Sequence, residues 1–385
     1  MNLASAEELR AALLEKFGDL MGLDQEAWVV GGAIRDLLLG RPTGDADLAL
    51  VGAREAASEL ALRIRGRLVD LGRDRMATWR VVASAAVYDL SELTRGSLDE
   101  DLARRDFTIN ALAIPLHGAA RLEDPFQGAK DIEARVLRMV RAENLADDPL
   151  RILKGIRHTA VLGLAIDPPT FQAFLPLVPA LDRVAGERKG AEIDLMFEGN
   201  PGAAQRYLRE SFADIVVLGA PVPPEAGNLP PGDAVPVHAL TFRRASREAL
   251  HSAAARLRWS GTRIGEIEAV LRVDRAADAG STAIDLALFD EGMVAARRAA
   301  MIREAIGDHA AAELLRKQLA VSGRRLATLV PLLSGSEIAE VTGMPPGPAL
   351  GRVKRAMIEA QVRAEISTKE EAQLWLRDRA PEIRE

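Results

Sequence analysis

Short apolar runs alternate with helical repeats in the first third of the chain. Ser5 and Glu8 form a capping-box pattern, and apolar residues at helical spacing over residues 9–20 predict an amphipathic first helix. Apolar runs predict strands over residues 28–30, 48–50, 68–71 and 79–90. Helices are predicted between them over residues 33–39 and 54–65. The pattern indicates a small sheet flanked by helices.

The rest of the chain is mostly helical in pattern, because Ala, Leu and Arg dominate its composition. Residues 218–236 are rich in proline and predict a stiff connection rather than a folded unit. The length of 385 residues suggests about two to four domains.

Composition excludes several classes of site. The chain has no cysteine, so disulfides and thiolate metal sites are excluded, and no apolar run reaches the length of a membrane span. We therefore expect a cytoplasmic protein without a membrane partner. The net charge is −6, but residues 237–330 carry 15 Lys and Arg against 11 Asp and Glu. That region is either a solvated helix face or a surface for a phosphate backbone.

The strongest chemical signal lies in residues 28–50, WVVGGAIRDLLLGRPTGDADLAL. Gly31 and Gly32 follow the apolar strand and allow a tight turn into a helix, whose first N–H groups predict an anion site. Asp45 and Asp47 are two residues apart, so on a strand both carboxylates share one face and would suit Mg²⁺. Taken singly, these features are also those of an ordinary turn and a solvated strand edge.

Further polar groups follow. Asp89 ends a predicted strand and joins Asp45 and Asp47 if the strands are neighbours; otherwise it is a cap or turn residue. Residues 104–114, RRDFTINALAI, combine buried candidates with polar groups that a purely structural segment would not need. Arginines there can clamp a triphosphate, and a carboxylate can accept a hydrogen bond from a ribose hydroxyl.

Residues 147–157, DDPLRILKGIR, predict a helix with Pro149 at its first position and Asp148 as its cap. Arg151, Lys154 and Arg157 are three residues apart, near one face. Such a face can offer acceptors and donors to the edge of a base, although an ordinary capped helix with solvated charges has the same pattern.

Together these motifs resemble a known family. The GG..RD and D.D pattern, with Arg35 in it, resembles the signature of the polymerase-beta superfamily of nucleotidyltransferases. Most of the chain resembles the class II tRNA nucleotidyltransferases, the family of CCA-adding enzymes and bacterial poly(A) polymerases. The segment RRDFTINAL resembles their ribose-selecting motif, and residues 147–154 resemble the templating motif EDxxRxxR. The motif that joins head to neck resembles the loop with Asp124, Pro125, Gly128 and Asp131. Glu187, Arg188 and Glu192 resemble the helix-supporting motif that follows.

The resemblance implies an α+β fold. A polymerase-beta-like catalytic head with a small mixed sheet would span residues 1–118, followed by an all-α neck (119–217), body (218–330) and tail (331–385). Body and tail would hold the acceptor end of tRNA. Basic residues predicted to bind tRNA there are Arg243, Arg244, Arg352, Lys354 and Arg355.

The resemblance also implies residue roles. Asp45 and Asp47 would hold two Mg²⁺ ions, and Asp89, from its place at a strand end, is the candidate third catalytic carboxylate. Asp148 and Arg151 would pair with the base of CTP or ATP, aided by Lys154 and Arg157. Asp106 would meet the ribose 2′-hydroxyl, and Arg105 and Asn110 would lie near the triphosphate. Gly31, Gly32 and Arg35 complete the predicted nucleotide site.

Two departures from the family pattern bear on specificity. Asp147 replaces the usual Glu of the templating motif, and Lys154, which lacks the planar fork of arginine, replaces the second Arg. The connection over residues 90–103 is short and resembles that of the CC-adding subgroup. The function predicted is addition of CMP to the tRNA 3′ end, with completion of CCA from ATP left open. The alternatives are a poly(A) polymerase, a small-molecule nucleotidyltransferase and a non-catalytic RNA-binding module.

Overall fold

The computed structural model describes residues 5–72, 77–84 and 86–383. The chain divides into two compact units, Met1–Val217 and Leu218–Glu385. The division into head, neck, body and tail stays a prediction. The predicted connection at Arg73 and Asp74 lies outside the described residues. Within the described residues, no helix is both long and apolar enough to cross a membrane.

The first unit contains a mixed sheet in the order β3-β4-β5-β2-β1-β6. Its strands are β1 (Ala27–Val30), β2 (Asp45–Leu50), β3 (Arg67–Asp70), β4 (Thr78–Val82), β5 (Val87–Glu92) and β6 (Ala113–Pro115). The central strand β2 pairs antiparallel with β1 and parallel with β5. The predicted strand at 28–30 is confirmed, because bulky and β-branched residues fit a sheet that is buried against helices.

One strand prediction is wrong. Residues 79–90 form the hairpin β4–β5 rather than a single strand, and the Ala83 N–H donates to the Ala86 carbonyl across the turn. The turn contains no Gly, Pro, Asn or Asp, so Ser84 gives its sequence only a weak turn signal. The hairpin changes which residues face one another across the sheet.

Helices cover the sheet and continue beyond it. The Ser5–Glu8 capping box is present at the first helix. The helices that begin in the first unit are α1 (Ala6–Lys16), α2 (Gly32–Leu38), α3 (Ala53–Arg63), α4 (Leu98–Ala103), α5 (Gly128–Glu133), α6 (Ala142–Asp147), α7 (Leu150–Leu162), α8 (Pro168–Phe174), α9 (Gly186–Glu198), α10 (Pro201–Glu210) and α11 (Ala213–Leu218). Short 3₁₀ helices occur at Gly18–Gly22, Thr94–Gly96, Thr108–Asn110 and Leu175–Arg183.

Helix α7 lies close to the segment that joins α4 to β6. A Cβ atom added at Gly155 would lie 2.8 Å from the rings of Phe107 and Phe174, so the absence of a side chain there permits this approach. The helix begins one residue later than predicted, with Pro149 in the cap position. A two-stranded parallel ribbon, β7 (Val136–Leu137) with β8 (Ala165–Ile166), borders the helix.

The second unit is helical within its described residues. Its helices are α12 (Val235–Phe242), α13 (Arg247–Leu257), α14 (Gly261–Asp278), α15 (Ser281–Ala305), α16 (His309–Val321), α17 (Gly323–Ala327), α18 (Gly335–Thr342), α19 (Pro348–Val362) and α20 (Lys369–Ile383), with a 3₁₀ helix at Pro224–Asn228. The prediction that residues 218–236 form only a connection is wrong. Val222, Ala226 and Leu229 are buried among these elements, because apolar residues between the prolines join the core.

Candidate active site

Three carboxylates lie on adjacent strands. Asp45 and Asp47 alternate with the fully buried Ala46 on β2, so both acidic side chains share one face as predicted. The parallel register of β2 and β5 places Asp89 directly beside Asp47. The condition that the strands are neighbours is therefore met.

Asp89 already has a protein partner. Arg80 lies opposite it on β4, and its Nε and Nη2 atoms each donate to one carboxylate oxygen of Asp89 at 2.7 Å. This bidentate pair uses both oxygens of Asp89. Asp45 and Asp47 make no ion pair within the described residues, so they are the more available pair. A catalytic role for Asp89 stays a prediction.

The Asp47 carboxyl lies in a crowded charged environment. Burial raises the pKa of Asp47, Arg105 lowers it, and the nearby charge of Asp89 raises it again, so that the pKa lies above its ordinary value. Gly31, at a φ of 74°, brings the backbone close: a Cβ there would lie 2.6 Å from Arg105 Nη1 and 3.7 Å from Asp47 Oδ2. Only glycine leaves this space open.

Two arginines frame the same region. Arg35 donates to Asp36 Oδ1 and, through Nη1, to Asn110 Oδ1 at 2.7 Å. Arg105 donates to the buried carboxylate of Asp101 at 3.0 Å and to the Asn110 carbonyl at 3.3 Å. Both guanidinium groups are thus held in place by protein acceptors, and the planar fork of arginine matches the geometry of a phosphate.

Asp106 and Lys154 contact each other, although the sequence assigned them to different tasks. Lys154 Nζ lies 2.6 Å from Asp106 Oδ2. Burial alone would raise the pKa of Asp106, but the nearby charges, led by the ammonium of Lys154, and the hydrogen bonds from Lys154 and Asn110 together lower it below its ordinary value, so Asp106 is ionised. Lys154 is therefore committed to the predicted ribose-reading residue.

The start of helix α7 carries the other predicted templating residues. Asp148 Oδ1 accepts from the Leu150 N–H at 3.2 Å, and its Oδ2 pairs with Arg188 at 2.8 Å. Arg151 Nη1 donates to the Arg104 carbonyl at 2.9 Å. Arg157 instead pairs with Glu192 on α9 at 2.6 Å. These contacts fix the orientation of all three side chains.

A cavity of about 1190 Å³ connects these groups. The residues predicted from sequence that line it are Gly32, Arg35, Asp45, Asp47, Asp89, Arg105, Asp106, Asn110, Asp148, Arg151, Lys154 and Arg157. Gly31 lies behind them, beside Asp47. A space of this size exceeds that of a typical small-molecule pocket.

The sequence alone did not single out three further lining residues, Arg80, Asp101 and His158. The position of Arg80 opposite Asp89 can be inferred once the pairing of β4 with β5 in the hairpin is known. His158 follows Lys154 by four residues, a spacing that places both on one face of α7.

The head-to-neck motif contributes to structure around the site. Asp124 accepts from the N–H groups of Gly128 and Ala129 at the start of α5. Asp131 is buried and accepts from the Thr108 hydroxyl at 2.7 Å and from Arg138 at 3.1 Å. These bonds tie α5 to the RRDFTINAL segment.

The donor set fits Mg²⁺ with few protein ligands. No group of three or more His, Cys, Asp and Glu side chains is arranged for a metal within the described ranges. Mg²⁺ at phosphoryl-transfer sites commonly uses one or two carboxylates and takes its other ligands from water and substrate phosphates. Asp45 and Asp47 meet that requirement, and the raised pKa of Asp47 indicates a carboxylate that a cation would stabilise.

The five basic residues predicted to bind tRNA differ in their surroundings. Arg243 pairs with buried Asp274 at 2.8 Å, and Arg355 makes a bidentate pair with Asp290. Arg244 is exposed, and Lys354 is half-buried. Arg352 is exposed on helix α19. Their role in binding stays a prediction.

Comparison with known proteins defines the class first. Residues 27–138 match the family model described as the Poly A polymerase head domain. The solved CCA-adding enzyme of Bacillus stearothermophilus in complex with CTP has the same fold, with a TM-score of 0.76 at 25% identity over 97% of this chain and 98% of that chain. The α+β fold with a nucleotidyltransferase head is thereby confirmed.

Curated relatives then define the family. The A-adding tRNA nucleotidyltransferase of Deinococcus radiodurans is 30% identical over 92% of this chain and 96% of its own length. The CC-adding enzyme of Geobacter sulfurreducens is 32% identical over 91% of both chains. The CC-adding enzyme of Synechocystis is 42% identical, but the match covers 49% of this chain and 46% of that protein. The chain belongs to the tRNA nucleotidyltransferase family, a family of enzymes.

Proposed function

We propose that the protein adds CMP to the 3′ end of tRNA from CTP, without a nucleic-acid template and with release of pyrophosphate. The observation that carries this proposal is the single cavity in which Asp45 and Asp47 face Arg35, Arg105 and the start of helix α7. Acidic groups for a metal, cations for phosphates and a polar helix end for a base occur together there.

Asp45 and Asp47 would hold two Mg²⁺ ions. When bound, Mg²⁺ would lower the pKa of the tRNA 3′-hydroxyl and offset the charge of the triphosphate and of the leaving pyrophosphate. The reaction forms a bond between the 3′-oxygen and the α-phosphorus and breaks the bond to pyrophosphate. Arg105 lies close enough to Asp47 to lower its pKa, so the same guanidinium can help to keep the carboxylate ionised and meet a phosphate.

Helix α7 would read the base. Asp148 is an acceptor and Arg151 a donor, and both line the cavity. Lys154 is engaged by Asp106, so we assign base recognition to Asp148 and Arg151 and place Lys154 with the ribose. Arg157 is held by Glu192 and would support the helix rather than contact the base.

The short connection after β5 supports CC addition. Strand β5 ends at Glu92, a 3₁₀ helix follows at Thr94–Gly96, and α4 begins at Leu98. This ordered path leaves no room for a long flexible loop. Because relatives include CC-, A- and CCA-adding enzymes, addition of a terminal AMP is the second candidate.

Body and tail residues would hold the tRNA through its phosphates. Arg244, Arg352 and Lys354 are placed on helices or their connections where a phosphate backbone can approach, since each retains at least part of its surface. A cytoplasmic location agrees with such a substrate.

Incubation with defined RNA ends tests the proposal. Purified protein receives tRNA lacking CCA, tRNA ending in CC, or an unrelated RNA, each with one labelled triphosphate. We expect two cytidines on the first tRNA and no reaction on the other two. AMP added to tRNA ending in CC would favour A or CCA addition, and a long A tail on unrelated RNA would favour a poly(A) polymerase. No incorporation on any substrate would contradict the proposal.

A further inference from the structure

A chain of buried polar groups joins helix α7 to the proposed ribose reader. Asn110 Nδ2 donates to Asp106 Oδ1 at 2.9 Å, and the same nitrogen lies 3.4 Å from His158 Nε2. Asp106, Asn110 and His158 are each at most 6% exposed, so water has little access to these contacts. The orientation of each group therefore depends on its protein neighbours.

The orientation of the Asn110 amide is fixed from two sides. Arg35 can only donate, so the Asn110 oxygen faces it, at 2.7 Å. The ionised Asp106 can only accept, so the Asn110 nitrogen faces it. An amide nitrogen is a donor, and His158 Nε2 must therefore be the acceptor.

This assignment requires a neutral His158 with its hydrogen on Nδ1. Burial lowers the pKa of His158, and the nearby charges of Arg157 and Arg35 lower it further, which agrees with a neutral ring. Nδ1 is buried and has no hydrogen-bond partner in the part of the chain that the structure describes. The contact with Asn110 is thus the one hydrogen bond of the His158 ring there.

The same series of buried hydrogen bonds leaves Asp106 with limited capacity to accept another one. Its Oδ1 accepts from the Phe107 N–H at 2.8 Å and from Asn110, while Oδ2 contacts Lys154. A carboxylate oxygen can accept two bonds, so the remaining position is on Oδ2. A ribose 2′-hydroxyl could occupy it, whereas a deoxyribose would leave it empty.

We propose that His158 is a positioning residue for sugar selection. By accepting from Asn110 it helps to hold the amide, and through it the Asp106 carboxylate, in the orientation that receives the 2′-hydroxyl. The proposal rests on the proposed function, since it concerns the sugar of the nucleotide that is added.

Two substitutions separate hydrogen bonding from packing. His158→Phe keeps an aromatic ring, which in the wild type packs edge-to-face on Phe107 at 5.9 Å, but removes the acceptor. His158→Gln removes the ring and keeps an acceptor. The preference for CTP over dCTP, measured as the ratio of kcat/KM on tRNA lacking CCA, should fall about tenfold in His158→Phe, as loss of one buried hydrogen bond implies. It should stay within about threefold of wild type in His158→Gln.

The opposite order would overturn the proposal, because a packing role predicts that Phe is tolerated and Gln is not. Wild-type preference in both variants would overturn it as well. Thermal unfolding of each variant reports folding, and His158→Leu replaces His158→Phe if that variant does not fold.

Measurements on the wild-type protein distinguish failure of the proposed function from failure of sugar selection. Absence of any nucleotide addition contradicts the proposed function. Equal use of CTP and dCTP by an active wild-type enzyme leaves the proposed function intact and overturns sugar selection by the Asp106 network.

Discussion

Oppositely charged side chains are arranged differently in the two units of the molecule. In the first unit, Asp45 and Asp47 share a cavity of about 1190 Å³ with several cations. In the second unit, the guanidinium of Arg303 is only 3% exposed and contacts Asp274, Asp278 and Asp308 directly. The charged groups of the second unit therefore contact one another directly, whereas those of the first unit border an open cavity.

The two arrangements differ in whether the charged side chains can still bind a ligand. Arg303 and Arg243 share the two carboxylate oxygens of Asp274, so each group is matched by a partner. Removal of one member of such a buried cluster destabilises the fold, and the cluster offers no unpaired charge to a ligand. The carboxylate of Asp47 instead has a raised pKa, which indicates that its charge is incompletely compensated by the protein. We therefore expect substitutions in the cavity to affect activity and substitutions in the cluster to affect stability.

The largest effect is expected from the cavity carboxylates. Asp45→Asn or Asp47→Asn should lower the rate of CMP incorporation by about a thousandfold or more, since several kcal/mol of charge stabilisation would be lost. Binding of tRNA, measured by filter retention, should change little. Chelation of divalent ions with EDTA should abolish incorporation by the wild type, and added Mg²⁺ should restore it.

Asp89→Asn is the matched control for these variants. Because Arg80 occupies both oxygens of Asp89, we expect a smaller loss than at Asp45 or Asp47. A loss as large as theirs would show that Asp89 acts with them in the chemistry. Turnover near the wild-type level in Asp45→Asn would contradict the proposed metal site.

The charged cluster of the second unit should control stability. Asp274→Ala leaves Arg303 and Arg243 without their shared buried partner, and we expect a loss of about 3 to 5 kcal/mol in the free energy of unfolding. Urea denaturation of the full chain, followed by circular dichroism, measures it. Removal of Arg355, whose pair with Asp290 is partly exposed, should cost about 1 kcal/mol or less. Equal losses in the two variants would contradict the comparison.

The fold class could be predicted from the sequence, and so could part of the geometry of the candidate site. Residue spacing placed Asp45 and Asp47 on one strand face, because alternation along a strand is a local property. The hairpin of β4 and β5 was missed because Ser84 alone is a weak turn signal. The partner of Asp89 was missed with it, since Arg80 comes opposite Asp89 only through that pairing.

Long-range pairings account for the other differences. The family resemblance assigned Lys154 to the base and Asp106 to the ribose, but a direct contact between residues 48 positions apart depends on how α7 packs in the first unit. In the same way, proline content suggested an unpacked connection at residues 218–236, whereas burial of Val222 and Leu229 depends on the helices that surround them. Local patterns do not contain this information.

A smaller effect distinguishes activity from stability at Asp47 itself. Its pKa is higher in the folded chain than the ordinary value near 3.8, so the ionised form is disfavoured by folding. The protonated form of Asp47 stabilises the folded chain at low pH. This contribution is lost as the pH rises through the pKa that Asp47 has in the folded state. Asp47→Asn should therefore raise the melting temperature at pH 7 in EDTA, with a difference that shrinks toward pH 4. A lower melting temperature at pH 7 would contradict this prediction.

The smallest effect is expected from exposed basic residues of the second unit. Arg244 is exposed and makes no ion pair within the described residues, whereas Arg355 is held by Asp290 and Glu359. If Arg244 contacts a tRNA phosphate, Arg244→Ala should weaken binding a few-fold and lower the slope of log K against log salt by about one unit. Arg355→Ala should leave the slope nearly unchanged, because its charge is already balanced. Binding titrations between about 50 and 200 mM salt compare the two variants. A larger change of slope in Arg355→Ala would show that tRNA displaces Asp290 from its arginine, and that the second unit's surface pairs are opened by the ligand.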